Sequence, residues 1–344
     1  MRALAFELPD ALQAREPPEA RGLRRDQVRL MVASRSLGTI EHRTFGELPE
    51  LLRPGDLVVV NVSATLPAAL AGRRADGSKT RIHFATRAPK LDRAWRVVEL
   101  RSADGSRPAR GCAGESIVLR GGAMLELVAP YASGARLLLA RLHAEQTVEA
   151  YLAAHGEPIR YGYVPRPWPL DAYQTVYANS PGSAEMPSAG RPFTAELITS
   201  LVACGIAVAP ITLHTGVSSP ERHEPPFPEQ YFVPASTARA VAGVRAAAGR
   251  VIAVGTTVVR ALETVAAPGG AVRAGAGWTN LVVGPERGLR LIDGLITGWH
   301  EPEASHLQLL EAVGGRELLH RSYDAALQLG YLWHEFGDSH LLLP

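Results

Sequence analysis

The run Arg250-Val-Ile-Ala-Val-Gly-Thr-Thr-Val-Val-Arg-Ala-Leu-Glu-Thr264 decides how this chain is read. Val251 to Val254 is a short apolar run of the buried-strand kind, and Gly255 breaks it. Thr256 and Thr257 follow, and either hydroxyl can cap a helix N-terminus. Val258, Leu262, Val265 and Ala266 then recur at i, i+4, i+7 and i+8, which is one face of a helix. Pro268-Gly269-Gly270 stops it. The segment therefore predicts strand, glycine turn and helix. A helix start of this kind offers free backbone N–H groups and a positive dipole end to a carboxylate or phosphate. Arg260 lies one turn in, with Glu263 three residues on. The alternative is an ordinary turn with a surface Arg–Glu pair, and spacing does not separate the two.

Outward from this segment, strands and helices alternate. Thr194 to Ala203 and Ala235 to Ala248 read as helices, and Ile206 to Leu213 and Gly288 to Asp293 as strands. Ser305 to Val313 and Glu317 to Leu329 read as helices. Toward the N-terminus, Leu30 to Ala33 and Gly38 to Phe45 read as a hairpin, and Leu48 to Leu52 as a short helix. Leu57 to Val60 is a buried strand running into Asn61. That alternation argues α/β with a mixed or mostly parallel sheet. Between Leu66 and His143 the texture changes to short β-type runs broken by Gly, Pro, Asp and Ser. Thr80 to Phe84, Trp95 to Leu100, Ser116 to Leu119, Met124 to Val128 and Ala135 to Leu139 are spaced as in an all-β barrel or sandwich. The expected organisation is a core domain of residues 1–65 and 145–344 with a small β domain, residues 66–144, inserted into it.

Composition bounds the function classes. The chain has 344 residues, 46% hydrophobic and 20% charged, which is ordinary for a globular protein with a sizeable core. Its 36 basic and 34 acidic residues leave a net charge of +2, so no overall basic footprint announces nucleic acid. A local patch would vanish in that sum. Arg21, Arg24, Arg25 and Arg29 form such a run, either a solvated arm or an anion-facing flap. Two distant cysteines, Cys112 and Cys204, imply neither a disulfide framework nor a thiolate metal site. Glu7 and Pro9 interrupt any signal-like core at the N-terminus. No apolar run approaches the roughly 18 residues of a membrane span. The expected location is the cytoplasm, with no membrane partner.

Several polar clusters sit directly after apolar strands, where ligands gather in open α/β sheets. Asn61 follows one, Thr212-Leu-His-Thr-Gly216 another, Gly255-Thr256-Thr257 a third, and Asp293 through Thr297 to His300 a fourth. Four of them predict a shared cleft lined by His214, Thr256, Thr257, Asp293, Thr297 and His300. A histidine at a strand end can be a general base, or simply a structural hydrogen-bonder. No set of His and carboxylate residues has ligand spacing, so no metal is expected. Arg160, Tyr161, Tyr163, Arg166 and Trp168 could stack a base and hold its phosphates, or fold back on the core. Asp338, in Phe336-Gly-Asp-Ser339, is a site carboxylate or a turn former. Dinucleotide, P-loop and nucleophile-elbow signatures are missing.

Taken together, these motifs resemble one family. The residues that carry the likeness are Leu51-Leu-Arg-Pro-Gly-Asp-Leu-Val-Val-Val-Asn61, Tyr173-Gln-Thr-Val-Tyr-Ala178 and Pro187-Ser-Ala-Gly190 with Phe193-Thr194. Thr212-Leu-His214, Ile252-Ala-Val-Gly-Thr-Thr257 with Arg260, and Phe336-Gly-Asp338 complete the set. In order, along nearly the whole chain, it is similar to the S-adenosylmethionine:tRNA ribosyltransferase-isomerases of queuosine synthesis. The resemblance implies a Rossmann-like α/β core with an inserted β-barrel. It also implies transfer of the ribosyl part of S-adenosylmethionine to 7-aminomethyl-7-deazaguanine in tRNA, with release of adenine and methionine. S-adenosylmethionine is then a substrate, and tRNA the nominal acceptor. On this reading His214, His300 and Asp293 are the candidate catalytic residues, with His214 the better candidate for the base. Asn61, Thr212, Gly255, Thr256, Thr257, Arg260 and Thr297 are expected to bind S-adenosylmethionine, with Arg260 and the helix start on its methionine carboxylate.

The chain also departs from the family pattern. The family continues Asn-Asp-Thr-Arg where this chain has Asn61-Val62-Ser63-Ala64. A family histidine is lost within Ala189-Gly-Arg-Pro-Phe-Thr194. Leu213-His-Thr-Gly-Val-Ser-Ser-Pro220 and Thr297-Gly-Trp-His-Glu-Pro-Glu-Ala-Ser305 are altered as well. Losses at polar positions keep two alternatives open. One is a divergent paralogue acting on S-adenosylmethionine with a small amine or water as acceptor. The other is a non-catalytic ligand- or RNA-binding relative. Oligomeric state is left open by the sequence.

Overall fold

A computed structural model describes residues 6–131, 136–217, 227–302 and 304–344. Ala135, Ser218-Ser219-Pro220 and Glu303, which belong to stretches read above, lie outside the described residues. The chain opens with β1 (Arg29–Ser34), β2 (Thr39–Thr44), α1 (Leu48–Leu51), β3 (Leu57–Asn61) and β4 (Ser63–Thr65). Six strands follow: β5 (Ala69–Arg73), β6 (Lys79–Arg87), β7 (Trp95–Arg101), β8 (Ser116–Leu119), β9 (Met124–Pro130) and β10 (Leu137–His143). Next come α2 (Val148–His155), β11 (Ser180–Ser183), α3 (Ala195–Ala203), β12 (Ala207–Leu213) and β13 (Glu229–Val233). Then come α4 (Ala235–Ala246), β14 (Val251–Val254), α5 (Thr256–Thr264) and β15 (Gly275–Thr279). The chain ends with β16 (Gly294–Gly298), α6 (His306–Gly314), α7 (Arg316–Gln328) and β17 (Ser339–Leu343).

Nine strands make one mixed sheet in the order β15-β13-β12-β3-β14-β16-β17-β1-β2. The four central strands β12, β3, β14 and β16 run parallel. β3 and β14 are apolar because both faces are covered, and every residue of each is buried, whereas β12 buries only alternate residues, Ala209, Ile211 and Leu213. Leu57 and Val59 face one core layer with Val258, Val259 and Leu262 of α5. Val58 and Val60 face the other, with Leu197 and Leu201 of α3. This alternation is the two-residue period of a strand, and it places helices on both sides of the sheet. β17 runs antiparallel to β16 and parallel to β1. One edge therefore gathers the C-terminal ends of β12, β3, β14 and β16 with the N-terminal ends of β17 and β1. The protein is thus α/β with a mixed sheet.

The texture change after Leu66 is a closed antiparallel barrel, ordered β10-β7-β6-β5-β8-β9. It has its own core, including Leu70, Ile82, Val98, Leu100, Leu125 and Leu127. Gly72 of β5 faces that interior. A Cβ there would lie 2.6 Å from Ile82 Cδ1 and 2.7 Å from Ile117 Cγ2, which explains a glycine inside a strand.

One sequence expectation fails in a way that matters for the site. No strand forms over residues 288–293; the strand starts at Gly294. Glu263 is the reason: its Oε1 accepts the N–H groups of Arg290 and Leu291, both at 2.9 Å, so this backbone is tied to a helix and not to the ladder. Asp293 moves accordingly. Its N–H donates to Val251 O at 2.9 Å, and its Oδ2 accepts from Val251 N at 2.8 Å. Val251 begins β14, so Asp293 lies at the sheet edge opposite Gly255. The expectation of Asp293 as a catalytic residue in the cleft is corrected on this ground. β13, β15 and β17 are strands that pattern reading did not find.

Candidate active site

The strand–turn–helix at residues 251–264 forms, with its cap differently made. Gly255 is the N-cap of α5, with φ 90° and ψ 154°, and no side chain caps the helix. A Cβ at this positive φ is strained, so glycine is required. Its N–H donates to Ile296 O at 2.8 Å, which locks the turn to β16. A Cβ here would stand 3.5 Å from Ala189 Cβ, so the Ser188–Gly190 turn forms the wall opposite. Thr256 is buried at the head of α5. The Thr257 hydroxyl accepts from Asn61 Nδ2 at 3.3 Å.

Asn61 ends β3 and is saturated. Its Nδ2 donates to Leu213 O at 2.8 Å as well as to Thr257. Its Oδ1 accepts from Leu213 N at 2.9 Å and Ser63 N at 3.1 Å. An amide has two donors and two lone-pair sites, so nothing is left for a ligand. The expectation of Asn61 as a direct contact gives way to Asn61 as the clamp that fixes β3, β12 and α5 to one another. Thr212, paired in register with Phe232, stands one residue before the end of β12.

His214 follows that strand. Its Nδ1 meets Ser63 Oγ at 2.8 Å, and Ser63 Oγ meets Ser183 Oγ at 2.6 Å. Gly182 lies flat against the ring; a Cβ there would stand 2.5 Å from Nδ1. Burial and the nearby Arg87 guanidinium of the barrel hold its pKa down at about 4, so the ring is neutral at pH 7. A neutral imidazole held by one nitrogen, with Nε2 making no hydrogen bond to the described residues, can accept a proton.

His300 is built into a different wall. Its Nε2 meets Thr297 Oγ1 at 2.9 Å, and its ring stacks on His306 of α6 at 4.7 Å between centroids. Tyr323 Oη accepts its N–H at 3.3 Å, and Trp333 Nε1 donates to its carbonyl at 3.1 Å. Burial, with His306, His340 and His334 nearby, lowers its pKa well below the usual range. His214 and His300 share one sheet edge, but β3 and β14 intervene. Three strand spacings put the strand ends roughly 14 Å apart.

Arg260 does not face the helix start. Its side chain turns inward and forms an ion pair with Glu229, which burial pushes up in pKa. Its guanidinium also donates to the carbonyls of Leu281 and Thr279, both at 3.1 Å, and of Phe227 at 3.3 Å. A buried guanidinium so consumed cannot hold a ligand carboxylate, and the expected contact is corrected. Nor is it half of a surface Arg–Glu pair, because Glu263 is buried and bound to Arg287.

The edge supplies other cations. A pocket beside Gly298 is lined by Arg25, Ser188, Ala189, Arg191 and Glu335 among others. Arg191 is only 3% exposed. Its Nη2 donates to Glu19 at 2.9 Å and its Nε to Ala172 O at 2.9 Å. Arg25 Nε also donates to Glu19, at 3.3 Å. Of the other N-terminal arginines, Arg24 pairs with Asp26 and Arg29 with Asp338. Asp338 also accepts from the backbone N–H groups of Arg29 and Leu332, so it is the turn former of the two readings. The aromatic loop folds back: Tyr163 stacks on His334 at 3.8 Å and donates to Glu335 at 2.7 Å, while Arg166 lies over Trp168. Burial raises the Glu335 carboxyl to a pKa of about 7. Glu335 is not among the residues the sequence singles out; its one signal is a carboxylate beside the Phe336-Gly-Asp338 motif. No group of three or more His, Cys, Asp or Glu residues is placed to hold a metal among the described residues, and none of their helices is long and apolar enough to cross a membrane.

Residues 1–342 match the family model described as queuosine biosynthesis protein. An S-adenosylmethionine:tRNA ribosyltransferase-isomerase of Symbiobacterium thermophilum is 38% identical, covering 98% of each chain. The protein of that name from Pelobacter propionicus is 36% identical over 97% of each chain. A crystal structure of S-adenosylmethionine tRNA ribosyltransferase from Thermotoga maritima matches 99% of both chains at 30% identity, with a TM-score of 0.56. The framework that aligns is the one that builds this edge, and the chain belongs to the queuosine biosynthesis protein family.

Proposed function

We propose that this protein is an S-adenosylmethionine:tRNA ribosyltransferase-isomerase of the cytoplasm. It transfers the ribosyl part of S-adenosylmethionine to 7-aminomethyl-7-deazaguanine in tRNA and releases adenine and methionine. The observation that carries this reading is full-length likeness, 38% identity over 98% of each chain, to an enzyme of that name. Nothing in the structure favours a small-molecule acceptor or a non-catalytic relative, and neither is carried further.

The site residues fit the chemistry as follows. The positive sulfur acidifies the ribose carbon beside it, and a neutral base must take that proton. His214, oriented through Nδ1 by Ser63, is our choice of base. Thr256, Thr257 and the α5 N-terminus line the floor beside it, with Gly255 allowing close approach. Asn61 acts by position only. Thr297 and His300 form the far wall, and Thr212 the near one. The barrel, residues 66–144, is taken as an inserted domain whose Arg87 reaches the His214 end.

The test is product analysis after incubation with S-adenosylmethionine and tRNA carrying the aminomethyl base. Free adenine with methionine is the expected outcome. S-adenosylhomocysteine would mean methyl transfer and would overturn the reading.

A further inference from the structure

With Arg260 consumed by Glu229, the carboxylate of a bound ligand needs another cation. The pocket beside Gly298 holds candidates of both signs. Arg25 uses Nε on Glu19 and Nη1 on Gln174 O at 3.3 Å, and its Nη2 makes no hydrogen bond to the described residues. Arg191 uses Nε and Nη2, and its Nη1 makes none among the described residues. Arg21 brings a third guanidinium close by; its Nη2 donates to Phe336 O at 2.8 Å, and its buried Nε has no partner among the described residues. Glu19 is the one carboxylate hydrogen-bonded to Arg25 and Arg191, and Arg21 also lies in its field. Glu335 has the opposite surplus. Its Oε2 accepts from Tyr163, and no described side chain meets its Oε1.

We propose that this pocket takes the α-amino-acid end of S-adenosylmethionine, with the carboxylate on Arg25 and Arg191 and the ammonium on Glu335. The inference rests on the proposed function and deepens it. A phosphate would suit the arginines but would give the Glu335 carboxylate no positive partner. An amino-acid end needs both signs within a few bonds, which is what the lining offers. The pocket also adjoins the nucleoside side of the cleft: Ala189 lines it, and Ala189 is the wall that faces Gly255. In this proposal one molecule reaches past Ala189 from the cleft into this pocket. The assignment gives a role to residues outside the motifs that carry the family likeness.

Proton linkage follows from the same geometry. Glu335 is faced by Tyr163 and Tyr173 of the aromatic loop and by Glu185 after β11. Arg191 and Arg25 come from the segments across the pocket, and His334 and Asp338 from its own turn. Burial first, then the Glu185 carboxylate, favours its neutral form up to about pH 7, against the Tyr163 hydrogen bond and Arg191. An arriving ammonium requires the ionised form. Binding therefore releases a proton near neutrality, and affinity rises with pH through about 7.

The experiment is calorimetry with S-adenosylmethionine and with 5′-methylthioadenosine, which lacks the amino-acid end. It is run on the wild type, Glu335→Gln and Arg25→Gln, in buffers of different ionisation enthalpy. Arg25 is half-buried on the arm, so its variant serves if the Glu335 variant folds poorly. Each substitution should weaken S-adenosylmethionine roughly tenfold or more and leave methylthioadenosine unchanged. Proton release should disappear in Glu335→Gln. Equal weakening of both ligands, no weakening, or retained proton release overturns the inference while the proposed function stands. A wild type that binds neither nucleoside contradicts both.

Discussion

Arg260 and the Arg25–Arg191 pair lie on the same edge of one sheet and have opposite accounts. Arg260 has Glu229 and three backbone carbonyls, so its charge is spent inside the protein. Arg25 and Arg191 share Glu19, and each keeps one guanidinium nitrogen unbonded among the described residues. The same contrast separates Asn61, with all four hydrogen-bonding positions filled, from His214, with Nε2 open. A polar residue at a strand end marks a site only when its valences are unfilled. Those filled by the protein hold the site in shape.

This contrast can be broken from either side. The largest effect is expected on the open side: His214→Ala should slow adenine release about 10²- to 10⁴-fold in single-turnover assays while S-adenosylmethionine still binds. A rate within a few-fold of wild type would remove His214 as the base. On the filled side, Arg260→Ala should destabilise the fold by about 3–5 kcal/mol, because it strands the buried Glu229. Urea denaturation measures this. A stable variant with selectively lost S-adenosylmethionine binding would return Arg260 to the ligand.

His340 sharpens the comparison through pH. It is fully buried, stacked on Trp299, and neither ring nitrogen has a partner among the described residues. Burial lowers its pKa to about 3. The unfolded chain, with the ordinary value of 6.5, then binds more protons, so stability is full above about 6.5 and is lost as pH falls toward about 3. At pH 5 this amounts to about 2 kcal/mol. His340→Phe should flatten that acid limb in thermal melts between pH 7 and pH 5, and an unchanged slope would contradict it. Glu335 works in the other direction: its raised pKa stabilises below about 4.5 and is lost as pH rises through about 7. The smallest effect is on Arg25→Gln, whose partly exposed ion pair should cost under about 1 kcal/mol of stability. A larger loss would make Arg25 structural.

Much of the architecture was legible because it rests on local patterns. Val251 to Thr264 reads as strand, turn and helix from its own period, and the barrel from its broken β texture. Other features depend on distant partners. Glu229, 31 residues from Arg260, decides where that guanidinium points. Glu263 pulls the backbone at Arg290 out of the ladder and so shifts β16, sending Asp293 to the wrong edge. Thr257 looked like a cap, but Asn61 takes its hydroxyl while Gly255 does the capping. Glu335 stands beside the Phe336-Gly-Asp338 motif but has no period of its own, and its setting depends on the distant Tyr163 and Arg191.

The central claim is that this edge runs a ribosyl transfer to tRNA. It is tested most directly by following adenine release from S-adenosylmethionine with and without tRNA bearing 7-aminomethyl-7-deazaguanine, and by analysing the nucleosides of the recovered tRNA. The account predicts tRNA-dependent adenine release matched one-to-one by epoxyqueuosine. Adenine release indifferent to that tRNA, or tRNA recovered without epoxyqueuosine, would contradict it.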